Sequence, residues 1–231
     1  MRTRSTLTAV LSAFAAAALA LTAGTASATA ASGAPSGQAG RTGASCGSLR
    51  LTGDLPAPPA GMAVRQDVTI GAGCRPVFGK VTLVPARESA KAGSLSAAGA
   101  TRQLKSWNEM YDCCNIRMTG VYTTSQWTTD GGRVTNAATD VTQQWNREPW
   151  NAGWNLKSQS RSTDCVTDCR VSRTEAHADF TYKGIFDVTG DWYATTHHSY
   201  VDLNADSTAT CRFEVELRHT FIGWNWRRGC Q

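Results

Sequence analysis

The segment Ala209–Phe221, with the sequence ATCRFEVELRHTF, decides the fold class. Its odd-numbered residues are apolar apart from one histidine: Ala209, Cys211, Phe213, Val215, Leu217, His219 and Phe221. Because successive side chains of a β-strand point to opposite faces, this alternation predicts a strand with one face in the core and the other in water. A helix would distribute the same residues around its axis.

Two further strands are predicted before this segment, separated from each other by the turn signal at 187–191. We expect one core-facing set in each strand: Ala176, Ala178, Phe180 and Tyr182 in the earlier strand, and Trp192, His198 and Tyr200 in the later one. This alignment requires Tyr200 to lie opposite Cys211, across a four-residue loop at 204–207. The three strands then form an antiparallel meander.

Other segments carry similar strand signals. Ile116–Trp127 and Arg133–Trp145 are predicted to form a hairpin, because Gly131 and Gly132 between them suit a tight turn. Three short strand-like runs also occur within residues 46–85. A total of about eight antiparallel strands predicts an all-β fold, either a β-sandwich or a small barrel, stapled by disulfides.

The first 30 residues have the features of a secretory signal peptide. Two arginines precede an apolar stretch, Leu7–Leu21, and small residues then supply two candidate cleavage sites, Ala26–Ala28 and Ala28–Ala30. The apolar stretch is shorter than the roughly 20 residues that a membrane-spanning helix needs. We therefore expect residues 1–30 to direct secretion to the extracellular space.

The composition divides the rest of the chain into four segments. Residues 31–45 are mostly Ala, Gly, Ser and Pro, which predicts a disordered leader. Residues 46–85 are predicted to form a small β unit, followed at 86–106 by an Ala/Ser/Gly linker or processing site. Residues 107–231 contain all eight tryptophans and are predicted to form a Trp-rich antiparallel β domain.

The charge balance limits the classes of partner. The chain has 23 basic and 18 acidic residues, and removal of the two arginines in the predicted signal leaves 21 basic residues. This small, scattered excess gives no basis for a nucleic acid partner. We also expect no membrane span in the mature chain and no cofactor, because the sequence contains no nucleotide-binding or metal-binding motif.

An even number of cysteines predicts disulfides in an exported protein. The eight cysteines are Cys46, Cys74, Cys113, Cys114, Cys165, Cys169, Cys211 and Cys230. We expect four disulfides, with Cys46 bonded to Cys74, and with the neighbours Cys113 and Cys114 reaching different partners. A zinc site built from Cys113, Cys114, Cys165 and Cys169 is the alternative.

The Trp-rich segment 145–154 is the first candidate site. Five of its residues are candidate ligand-binding residues: Trp145, Arg147, Trp150, Asn151 and Trp154. Tryptophans beside polar groups in a Pro/Gly-interrupted segment are typical of an exposed platform on which a sugar ring stacks. The alternative is that these tryptophans close the end of the hydrophobic core.

A second candidate site lies on the predicted outer face of two neighbouring strands. Glu175, His177 and Asp179 share that face, and His197 is expected beside them on the next strand. Carboxylates beside histidines permit acid–base catalysis or metal binding. Alternation on a solvated strand produces the same pattern without any function.

The segment Asp202–Asp206 resembles the start of a calcium-binding loop. Oxygen ligands at Asp202, Asn204 and Asp206 have the required spacing, but Ser207 stands where such a loop needs glycine. A hairpin turn explains the same residues. We therefore expect no metal here, with calcium as the alternative.

Three function classes remain open. The aromatic and disulfide features favour a secreted, non-enzymatic binding or interaction module for a glycan or a cell-surface component. The first alternative is a secreted hydrolase that uses the polar face at Glu175, His177, Asp179 and His197. The second is an inhibitor or toxin-like protein that presents the loop between Cys165 and Cys169.

Overall fold

A computed structural model describes residues 45–86, 101–147, 153–185 and 187–231. These residues form an all-β fold of twelve strands in two antiparallel sheets. The strands are β1 (Ser45–Leu55), β2 (Met62–Ile70), β3 (Pro76–Phe78), β4 (Thr82–Pro85), β5 (Arg102–Tyr111), β6 (Arg117–Thr129), β7 (Val134–Trp145), β8 (Gly153–Thr163), β9 (Val171–Lys183), β10 (Ala194–Asn204), β11 (Ala209–Phe221) and β12 (Asn225–Cys230). The described residues contain no helix long and apolar enough to cross a bilayer.

The two sheets differ in strand order. The five-stranded sheet has the order β1-β11-β10-β9-β8, and the seven-stranded sheet has the order β3-β2-β12-β5-β6-β7, with β4 also paired to β2. Strands β5 to β7 pack against β9 to β11, so the core lies between the sheets. The predicted all-β antiparallel fold is confirmed, with twelve strands in the described residues instead of the expected eight or so.

Strand β11 has its predicted orientation over most of its length. Phe213, Val215 and Leu217 are buried in the core between the two sheets. The alternation breaks at His219, whose backbone has a φ of 51°, and the next residue, Thr220, is buried instead. The core-facing set predicted in β9 is also observed, because Ala176, Ala178 and Phe180 are fully buried and Tyr182 packs against the core.

The predicted register between β10 and β11 is wrong by one residue. Val201 rather than Tyr200 lies opposite Cys211. The loop between β10 and β11 has three residues instead of the predicted four, and this shortening shifts the register. Asn204 and Thr208 close the loop, since the Asn204 amide donates to the Thr208 carbonyl. Ser207 adopts a φ of 71° in this loop, the left-handed conformation that closes three-residue hairpins.

The one-residue shift exchanges the two faces of β10. Its core face carries the odd-numbered residues Thr195, His197, Ser199, Val201 and Leu203, all of which are buried. His198 and Tyr200, which we expected in the core, point to the solvent side instead. Trp192, the third expected core residue, lies before β10 and is 54 % exposed.

The N-terminal strands share both sheets with the C-terminal strands. β1 pairs with β11, and β2 pairs with β12. The predicted small unit at 46–85 is therefore integrated into the same two sheets as the predicted Trp-rich domain. The predicted linker also ends earlier than expected, because β5 begins at Arg102. The predicted signal peptide and leader, apart from Ser45 in β1, and residues 87–100 of the predicted linker lie outside the described residues.

Three disulfides are formed. Cys46 bonds to Cys74 as predicted, Cys165 bonds to Cys169, and Cys211 bonds to Cys230. Cys113 and Cys114 are exposed free thiols. The expected fourth disulfide is therefore absent from the described residues, and neither cysteine is bonded to a different partner as predicted. The alternative four-cysteine zinc site is wrong, because Cys165 and Cys169 are bonded to each other.

A buried arginine lies between the sheets. Arg228 is only 3 % exposed, donates to the Gln66 carboxamide and stacks 4.5 Å from the ring centroid of Trp226. Burial lowers the pKa of Arg228 to about 10, although the negative charge of Asp54 acts to raise it. Any other residue at Gly53 would displace the Arg228 guanidinium, because an added Cβ would overlap its Nη1 atom.

Candidate binding face

The outer face of the five-stranded sheet, formed by the side chains of β8 to β11 that point away from the core, carries a row of stacked rings. The imidazoles of His177 and His198, directly opposite each other in β9 and β10, stack with centroids 4.6 Å apart. The Tyr200 ring is parallel to that of His198 at 6.1 Å. The Arg212 guanidinium lies over Tyr200, 3.7 Å from its centroid.

Two carboxylates hold this row in place. Glu175 Oε1 lies 2.9 Å from His198 Nδ1, and Asp179 Oδ1 lies 3.2 Å from His177 Nε2. Burial alone would raise the pKa of Asp179, but hydrogen bonds donated by Ser158 and Thr196, together with His177, lower it. The outer face therefore contains two carboxylate–imidazole pairs side by side.

His197, predicted to belong to this face, lies on the opposite side of β10. It is fully buried, and its Nε2 is 2.8 Å from the Thr119 hydroxyl of the other sheet. Burial lowers its pKa to about 3, so the ring is neutral at physiological pH. His198 takes its place beside Glu175, His177 and Asp179, as a direct result of the shifted register.

A cavity of about 550 Å³ opens at one end of the outer face. Ten residues line it: Ser162, Thr163, Asp164, Arg173, Thr174, Glu175, Tyr200, Asp202, Thr210 and Arg212. Every one of these side chains has a hydroxyl, a carboxylate or a guanidinium group. Sequence reasoning missed this cavity, because its residues come from four strands and form no local motif.

The charges in the cavity are partly matched. Arg173 lies 3.4 Å from the Asp164 carboxylate and 3.9 Å from that of Asp202. Burial and the nearby Asp164 raise the pKa of Asp202, while Arg173 and Arg212 oppose them. Burial also raises the pKa of the Tyr200 hydroxyl, assisted by the charges of neighbouring carboxylates. The cavity thus offers both acceptors and donors around one aromatic ring.

The predicted tryptophan platform is not formed by the residues that the structure describes. Trp154 is buried, and Trp145 packs against the core with its ring 6.0 Å from that of Phe180. Arg147 lies over Trp145 at 4.8 Å. Trp150 and Asn151 lie outside the described residues. Trp145 and Trp154 therefore pack in or against the core, which was the alternative to an exposed platform.

The exposed tryptophan among the described residues is Trp192, in the loop between β9 and β10. Its indole stacks on the His219 imidazole at 3.9 Å. The loop is braced by Asp187, whose carboxylate accepts hydrogen bonds from the Thr189 hydroxyl and from the amides of Gly190, Trp192 and Tyr193. These bonds outweigh burial and lower the pKa of Asp187 to about 2.

The alternative calcium loop is a hairpin turn. Asp206 accepts hydrogen bonds from the amide and hydroxyl of Thr208, and Asn204 donates to the same hydroxyl. Asp202 faces the cavity instead. Within residues 45–86, 101–147, 153–185 and 187–231, no group of three or more His, Cys, Asp or Glu side chains is arranged to hold a metal ion.

The loop between Cys165 and Cys169 is closed by its disulfide and presents Val166, which is 51 % exposed. Arg133 binds the carbonyl and the carboxylate of Asp168, which fixes the loop against the start of β7. An inhibitory role for this loop stays a prediction.

Comparison with protein-family models, with curated proteins and with solved structures finds no match to this chain.

Proposed function

We propose that this chain is a secreted, non-enzymatic binding module whose outer face binds a carbohydrate. The observation that carries the proposal is the cavity of about 550 Å³ around Tyr200 and Arg212. Its volume lies within the range of roughly 300–1,000 Å³ typical of small-molecule sites. Such sites are usually lined by apolar side chains, whereas every residue that lines this cavity carries a hydroxyl, carboxylate or guanidinium group, which favours a ligand with many hydroxyl groups.

The cavity chemistry suits sugars better than the competing ligand classes. Carboxylates accept hydrogen bonds from hydroxyl groups, and guanidinium groups donate to them. The Tyr200 hydroxyl adds a further donor and acceptor, while the face of its ring is covered by the Arg212 guanidinium. Three acidic residues, Asp164, Glu175 and Asp202, outnumber the two arginines, which disfavours a polyanion such as nucleic acid.

The outer face is long enough for an oligomeric ligand. Arg212 marks the cavity end of β11, and Arg218 lies six residues further along the same face, close to the Trp192 loop, where it donates to the Asp191 carbonyl. Six residues of a strand span about 20 Å. We infer that the ligand is an extended glycan chain, with its specificity set in the cavity.

Secretion is supported by two independent features. Three disulfides are formed in the chain, and disulfides persist in oxidising compartments outside the cytosol. The N-terminal sequence also has the composition of a secretory signal peptide. A glycan on a cell surface or in the extracellular matrix would be accessible to such a protein.

Retention on insoluble polysaccharides tests the proposal. The purified chain is incubated with chitin, cellulose, xylan and peptidoglycan, and the bound fraction is measured. Arg212→Ala should weaken retention by at least about tenfold, because hydrogen bonds to charged groups contribute about 1.5–3 kcal/mol. Tyr200→Ala should weaken it less, by a few-fold, because a neutral hydrogen bond contributes about 0.5–1.5 kcal/mol. Arg170→Ala, at an exposed arginine outside the cavity, is the matched control and should bind like the wild type.

Absence of retention on all four polymers would refute carbohydrate binding. Retention that depends on Trp192 and not on Arg212 would place the binding site in the exposed loop instead of the cavity.

A secreted hydrolase is the second candidate, favoured by the Glu175–His198 and Asp179–His177 pairs. A histidine oriented by a carboxylate is a common general base. Release of reducing sugars from a retained polysaccharide, lost in Glu175→Gln and kept in Glu216→Gln, would establish an enzyme. Retention without release, in the wild type, would exclude this candidate for the polymer tested.

A further inference from the structure

The turn between β5 and β6 carries two adjacent cysteines. Cys113 and Cys114 are both exposed, and their sulfur atoms are 3.8 Å apart. All eight cysteines of the chain lie within the described residues, and the other six are paired with one another. Each of these two thiols therefore has the other as its nearest cysteine partner within the chain.

The backbone of this turn is held by contacts that do not involve sulfur. The Asp112 carboxylate accepts hydrogen bonds from the amides of Cys114 and Ile116. The Asp112 amide donates to the Ile116 carbonyl, and Arg227 of β12 binds the Asn115 side chain. The cysteines can thus change their chemical state while the strand ends stay in place.

We propose that Cys113 and Cys114 form a surface redox site, a dithiol that closes reversibly to a vicinal disulfide. The oxidant is a small-molecule disulfide. One cysteine thiolate attacks it, forms a mixed disulfide and releases one small thiol; the second cysteine then displaces the other small thiol. Two protein thiols become one disulfide, and the small disulfide becomes two thiols that carry the two protons.

The closed form is more easily reduced than the buried Cys211–Cys230 disulfide. Neighbouring Cα atoms are about 3.8 Å apart across a trans peptide, whereas disulfides usually join Cα atoms about 4.4–6.8 Å apart. Strained and exposed disulfides are the readily reduced ones. Cys211 and Cys230, in contrast, are buried between the sheets.

Thiol counting by mass spectrometry tests the site. The native full chain is treated with oxidised glutathione, quenched in acid and alkylated with N-ethylmaleimide. The wild type should lose two hydrogens and accept no label. Reduced glutathione should then restore two labelled cysteines, mapped to Cys113 and Cys114, at a concentration at least about tenfold below that needed to open Cys211–Cys230.

Single-cysteine variants provide the control. Cys113→Ser and Cys114→Ser each leave one thiol that cannot close, so each variant should retain a bound glutathione instead of losing two hydrogens. A wild type that keeps glutathione adducts, forms disulfide-linked dimers or stays fully alkylatable after oxidation would overturn the proposal. Polysaccharide retention should be equal in the oxidised and reduced forms, because the site is separate from the outer face.

Discussion

At the scale of single residues, neighbouring histidines have opposite environments. His197 is buried between the sheets, while His198 is stacked on the solvated outer face. Sequence alternation assigned them the other way round, because β10 mixes polar residues on both of its faces. Thr195 and Ser199 are as polar as Thr196 and Tyr200, so the pattern of this strand does not specify its orientation.

The buried His197 makes stability dependent on pH. Its pKa is about 3 in the folded chain and about 6.5 in the unfolded chain, which therefore binds more protons between these values. The free energy of unfolding should fall as the pH decreases from about 6.5 towards 3. This pH dependence of the free energy of unfolding should be absent from the His197→Gln variant. Urea unfolding of both proteins from pH 4 to 7 measures the difference. An identical pH dependence in both proteins would contradict the assignment.

The Asp187 carboxylate stabilises the Trp192 loop. Asp187→Asn replaces an acceptor of four hydrogen bonds by a neutral amide and should lower stability by about 1–3 kcal/mol. The pKa of about 2 lies below the ordinary aspartate value, so this stabilisation is present above pH 4 and is lost as the pH falls towards 2. Urea unfolding at pH 7 measures the loss. Asp191→Asn, at an exposed position of the same loop, should change little.

At the scale of elements, β11 could be predicted from sequence and the β10–β11 loop could not. The apolar and polar faces of β11 differ sharply, so its orientation follows from alternation alone. The loop depends on a left-handed backbone conformation at Ser207. Serine adopts this conformation rarely, and no local sequence motif indicates it here. Alternation in β9 correctly places Glu175, His177 and Asp179 on the outer face. The one-residue error in the β10 register placed Tyr200 in the core, so the cavity around Tyr200 was not predicted.

The two faces of β11 should respond differently to truncation. Phe213→Ala removes a fully buried ring and should cost roughly 3–5 kcal/mol. Glu216→Ala truncates an exposed side chain whose contact is a surface ion pair with Arg50, and should cost less than about 1 kcal/mol. Denaturant unfolding of the two variants provides the comparison, and equal losses would mean that the faces are wrongly assigned.

At the scale of the whole molecule, two disulfides join the sheets. Cys211 in β11 and Cys230 in β12 belong to different sheets, and Cys46 in β1 is bonded to Cys74, which precedes β3. The sequence predicted that the cysteines form disulfides, and it predicted the Cys46–Cys74 pair. It could not predict the others, because the number of possible pairings is large and the topology was unknown.

Removing the Cys211–Cys230 disulfide should weaken the whole fold. The double variant Cys211→Ala/Cys230→Ala should lose about 2–5 kcal/mol, the usual effect of deleting a native disulfide. Cys165→Ser/Cys169→Ser opens a loop with a sequence separation of only 4 residues, compared with 19. Because shorter loops constrain the unfolded chain less, this variant should lose less stability, as measured by thermal unfolding. The reverse order would contradict the proposed role of the Cys211–Cys230 disulfide.

The pairing of β1 with β11 and of β2 with β12 also fixes the order of assembly. Ribosomes synthesise a chain from its N-terminus, so β1 exists long before its partner, which begins at Ala209. Until then its hydrogen-bonding groups have no strand to pair with, and contacts between distant segments form slowly. Each sheet is therefore completed only when β11 and β12 have been made, and until then β1 presents unpaired hydrogen-bonding groups that favour aggregation.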